Sequence, residues 1–84
     1  MLTEAHLRET LERVWDDELH LLDNAENVAT WIEGKLDMSP GNTTDLADAI
    51  ADGVRESVVP FEFLNFDQAT RSVMQCLKTG GWLG

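Results

Sequence analysis

The chain has 84 residues, sixteen acidic and six basic, for a formal charge of -10 at pH 7. That length holds one hydrophobic core and leaves no room for a second, so residues 1–84 are read as a single domain. The charge excludes direct binding to nucleic acid or to anionic membrane surfaces, while 43% apolar residues exclude intrinsic disorder.

Thr3 can cap a first helix and Glu4 suits its positive end. Leu7, Leu11, Val14, Leu21, Ala25, Val28 and Ile32 then follow at helical spacing, with Glu18 where one apolar residue is missing. Asp23-Asn24 interrupts the run, and Asp23 with Glu26 has the spacing of a capping box. The pattern predicts two helices, residues 3 to about 22 and 24 to about 36, with Trp15 and Trp31 in the core beside their apolar faces. Met38-Ser39-Pro40-Gly41-Asn42 has the chemistry of a turn, since proline disfavours helix in the preceding residue and glycine tolerates positive φ. A third helix, capped by Thr43 or Thr44, carries Leu46, Ile50, Val54 and Val58 on one face, and Pro60 prevents its continuation. Phe61-Glu62-Phe63-Leu64 alternates briefly and is read as an extended connector whose aromatics plug the core. Asn65 or Asp67 caps a fourth helix with Ala69, Val73, Met74 and Leu77 inward, and Gly80-Gly81 ends it. The expected fold is an all-α, four-helix domain with a short extended connector between the third and fourth helices.

At about 100° per residue, Asp45, Asp48, Asp52 and Glu56 fall within roughly one quarter of the third helix's circumference, opposite Leu46, Ile50 and Val54. Successive carboxylates rise about 4.5 to 6 Å along the axis, a coarse row of phosphate-like charges. A solvated outer face would have the same pattern, so the stripe is a candidate binding face rather than a signature. Asp16, Asp17 and Glu18 add three consecutive acids, and Asp16 and Asp17 stand four and three residues before His20. A metal site needs three or four convergent ligands, and two histidines and one cysteine do not supply them. The stretch from Asp37 to Asp48 resembles a calcium loop only loosely, with Asn42 at the turn-glycine position and Asp48 in place of the closing Glu. Ser39, Ser57, Ser72 and Cys76 have no nearby histidine in sequence, so nucleophilic catalysis finds no triad. Neither a metal nor a cofactor is expected, and the chain reads as a non-enzyme.

A small acidic helical chain invites comparison with acyl carrier proteins, whose pantetheine arm sits on the serine of an Asp-Ser-Leu motif. Here the nearest string is Leu36-Asp37-Met38-Ser39-Pro40, which lacks it. In size and charge alone the chain resembles compact acidic inhibitors encoded by phages and mobile elements, without a shared motif. Cys76, as the one cysteine, forms no internal disulfide and suits a reducing compartment. The opening residues lack the basic and apolar regions of an export signal, so a cytoplasmic location is expected. The leading expectation is an inhibitor or decoy that occupies the nucleic-acid-binding surface of a basic partner through Asp45, Asp48, Asp52, Glu56, Asp16, Asp17 and Glu18. Trp82, on a Gly80-Gly81 tail, is a further contact candidate. The alternative is an adaptor that uses its apolar seam and Trp82 for homodimerisation or helix packing.

Overall fold

The computed structural model describes residues 2–36, 43–57 and 65–82. They form α1 (Glu4–Val14), α2 (Leu21–Ile32), α3 (Thr43–Ser57) and α4 (Phe66–Thr79), with a 3-10 turn at Glu33–Lys35 prolonging α2. The architecture is all-α, and no strand occurs among the described residues. Each helix packs on its sequence neighbours and α1 also packs on α4, so the four close a ring around one apolar interior. The turn at residues 38–42, Val58, Pro60 and the connector expected at residues 61–64 lie outside the described residues.

The start of α1 follows the sequence reading: the Thr3 hydroxyl accepts the His6 amide at 3.2 Å, and Leu7 and Leu11 are fully buried. Its end does not. α1 stops at Val14, and residues 15–20 form the corner that was expected at Asp23-Asn24. Asn24 makes the corner. Its buried side chain accepts the Asp16 amide at 2.9 Å and donates to the Asp16 carbonyl at 2.8 Å, satisfying both backbone groups that a continuing helix would have used. The Asp16 carboxylate accepts the Glu18 amide at 2.9 Å, the local competition with the helix ladder to which Asp is prone. A single rod could not fold Leu7 and Leu11 against Val28 and Ile32, whereas the corner brings both sets into one core.

Two further expectations change with this corner. Glu18 leaves the apolar seam for an exposed loop position, so its apparent misfit disappears. Trp31 is 56% exposed rather than buried. The inward arc of α2 belongs to Ala25, Val28, Ala29 and Ile32, and at about 100° per residue Trp31 falls outside it. Trp15 is half-buried and packs on the core, as expected. The N-terminus of α3 also shifts: Thr43 is already helical, and its hydroxyl donates to Glu33 Oε2 at 3.1 Å, tying α3 to the end of α2.

α4 follows its sequence signals at both ends. Asn65 accepts the Gln68 amide at 3.1 Å, and Ala69, Val73 and Leu77 are fully buried. At the other end, the Trp82 amide bonds the Leu77 carbonyl and the Gly81 amide bonds the Lys78 carbonyl, at 2.9 and 3.2 Å. With Gly81 at φ 81°, this is a Schellman stop, and it folds Trp82 back onto the core.

α3 and α4 approach each other closely at Gly53. A Cβ there would stand 2.7 Å from Val73 Cα and 2.8 Å from Val73 Cγ2, so α3 rests on the α4 backbone itself. Alanine at a helix interior is worth about 1 kcal/mol over glycine, but here a rigid backbone would have to move. Gly53→Ala should therefore destabilise the fold by about 1–3 kcal/mol, the usual cost of overpacking, in urea denaturation followed by circular dichroism. A stabilised Gly53→Ala variant would show that the two helices separate freely.

Candidate functional site

The tight seating of α3 decides which of its residues meet solvent. Leu46, Ala47, Ile50, Ala51, Gly53 and Val54 are all buried, because α2 and α4 both pack on this helix. The arc that remains holds Asp45, Asp48, Asp52 and Glu56, and all four are exposed. Asp52 pairs with Arg55 at 3.0 Å, whereas Asp45, Asp48 and Glu56 have no Lys or Arg within ion-pair distance among the described residues. A straight helix holds the four over about 16 Å, so their spacing is set by backbone geometry.

Asp16, Asp17 and Glu18 are also exposed, but they lie in the corner between α1 and α2 rather than on a helix face. The one-turn spacing of Asp16 and Asp17 to His20 is thus not realised as a helical pair. Among the described residues no group of three or more His, Cys, Asp or Glu side chains gathers as a metal site would require. Trp82 is half-buried against the core, with its indole over Gly80, where a Cβ would meet the ring at 3.0 Å. No described helix is long and apolar enough to cross a membrane.

Charge is divided unevenly among the elements of the chain. α1 and α4 carry four acids, Glu4, Glu9, Glu12 and Asp67, and four bases, Arg8, Arg13, Arg71 and Lys78. Their sum is zero, so the rest of the chain, with twelve acids against Lys35 and Arg55, holds the entire -10. Uniform scatter is therefore not the pattern. α3 packs on α2 and α4 and contributes four of those twelve acids to one arc.

One contact at this site was not anticipated from the sequence. Cys76 lies half-buried on α4 beside α3, and its Sγ donates to Glu56 Oε2 at 3.8 Å. Nineteen residues separate the pair in the chain, and no local pattern announces it. Burial raises the thiol pKa above its ordinary value, and the Glu56 and Asp52 carboxylates raise it further. The thiol therefore stays protonated at neutral pH, with little nucleophilic thiolate. Since the unfolded thiol ionises first, this group lowers stability only as pH rises past the ordinary thiol range.

Comparison with protein families, curated proteins and solved structures gives no match.

Alkylation of Cys76 by iodoacetamide at about pH 8.5 should run slower in the folded chain than in urea. Glu56→Gln should speed it, though not to the unfolded rate, because burial is the larger cause. Equal folded and unfolded rates would contradict the Cys76 environment described above.

Proposed function

We propose that this chain is a non-enzymatic, cytoplasmic binding protein whose acidic α3 arc occupies a basic surface of a partner protein, in the manner of a nucleic-acid decoy. The observation that supports this reading is the exposure of Asp45, Asp48, Asp52 and Glu56 on one arc of a helix anchored from both sides, three of them without a basic partner among the described residues. Carboxylates held this way need little ordering on association, and unneutralised charge accelerates encounter with a cationic surface. Asp16, Asp17 and Glu18 form a second exposed acidic cluster, in the corner between α1 and α2.

The adaptor alternative draws on the apolar seam and Trp82. Leu7, Leu11, Ile50 and Val73 in that seam are fully buried by the chain itself, and Trp82 rests on its own core. The acidic surface is therefore the better-supported site.

The partner is best found by affinity capture from the native host. Replacing Asp45, Asp48 and Asp52 with Asn and Glu56 with Gln then removes four charges while keeping shape and hydrogen-bonding capacity. Folding stability should hold or rise, because these side chains are exposed and removing their charge lowers self-repulsion. Affinity for the captured partner should fall at least tenfold at about 0.05 M salt, and parental affinity should itself fall steeply towards about 0.5 M. Undiminished binding by the quadruple variant would reject the decoy reading.

A further inference from the structure

The neutral half of the ring carries its own pattern. α1 and α4 run antiparallel, with the Arg8 guanidinium bonded to Asp67 across the seam and to Glu12 on its own helix at 3.2 Å. Glu4 borders two grooves on this seam: one of about 600 Å³ shared with Arg8, Asp67 and Arg71, and one of about 220 Å³ shared with Arg71, Met74 and Lys78. Arg71 and Lys78, seven residues apart on α4, are exposed on one side of that helix. Neither has an acidic partner within ion-pair distance among the described residues, and Glu4 likewise has no basic one.

We infer that the α1–α4 face is the docking surface for a second copy of this chain, related by a two-fold axis. Electrostatics selects this occupant. Two copies each at -10 repel through every face that carries the net charge, whereas α1 and α4 sum to zero. The face also offers both signs unpaired, so a two-fold axis sets Arg71 and Lys78 of one copy against Glu4 of the other, and the reverse contact follows by symmetry. Half-buried Met74 supplies an adaptable apolar centre between them. The fourteen residues of α4 make the face only about 21 Å long, the scale of a weak and reversible interface. In such a dimer both α3 arcs stay outside the contact, since α3 packs on the other side of α4. The inference stands whether or not the decoy reading holds.

Sedimentation equilibrium of the full chain, from about 1 µM to about 1 mM in 0.15 M salt, should show a monomer–dimer equilibrium with dissociation above the micromolar range. Arg71→Glu with Lys78→Glu should weaken it at least tenfold, with unchanged helical circular dichroism because both side chains are exposed. Lys35→Glu with Arg55→Glu makes the same change in net charge away from this face and should leave the dimer nearly intact. Adding Glu4→Arg to the Arg71/Lys78 variant should recover part of the lost association. A monomer throughout the concentration range would overturn the proposal. Equal weakening by the two double variants would also overturn it, because overall charge rather than this face would then govern association.

Discussion

The contact between Gly53 and Val73 sets how α3 seats on α4, and with it which face of α3 meets solvent. With no Cβ in the way, α3 settles onto the backbone of α4, while alanines on α2 and α3 let those helices close from the other side. A helix held on two flanks buries a continuous arc, here Ala47, Ala51 and Gly53 beside the larger Leu46, Ile50 and Val54. What remains exposed is Thr44, Arg55 and the four acids Asp45, Asp48, Asp52 and Glu56. The candidate interaction surface is thus a by-product of which face of α3 the core takes up.

Much of this was legible in the sequence. Apolar spacing located all four helices, Thr3 and Asn65 marked two of their starts, and Gly80-Gly81 marked the last stop. The outward arc of α3 followed from a 100° rotation per residue and needed no tertiary information. The α1–α2 corner was misplaced because its cause is a side chain eight residues away: Asn24 reads as a breaker at its own position but acts on Asp16. Trp31 lies beside the apolar face but outside the arc of Ala25, Val28, Ala29 and Ile32 that the neighbouring helices cover, and the width of that arc is a tertiary property. The Cys76–Glu56 contact and the exposed Arg71–Lys78 pair become meaningful only when separate helices are brought together.

The distribution of charge links the two proposed surfaces. Among the described residues the ion pairs are exposed and mostly local, such as Arg13–Glu9 and Arg55–Asp52, and exposed pairs contribute about 0–1 kcal/mol. They do not hold the fold. The buried polar side chains Asn24 and Thr70 are hydrogen-bonded within the chain, Thr70 to the Phe66 carbonyl at 2.6 Å, so the core carries no uncompensated polarity there. Stability then comes from apolar packing, and the concentrated negative charge acts against it. A neutral α1–α4 pair within a chain of net charge -10, beside an α3 arc rich in carboxylates, lets one part of the surface attract a like chain while another attracts a cationic partner.

The claim that packing holds the fold while the acidic surface opposes it is tested most directly by the melting temperature of the parent chain as a function of sodium chloride. Between about 0.01 M and about 0.5 M, screening shortens the reach of electrostatics from about 30 Å to a few ångströms. Since repulsion among the twelve acids outside α1 and α4 outweighs the exposed ion pairs, the melting temperature should rise across that range at a fixed low protein concentration. A melting temperature that falls with added salt would mean that ion pairs sustain the structure, and the carboxylates assigned to recognition would instead be part of the fold.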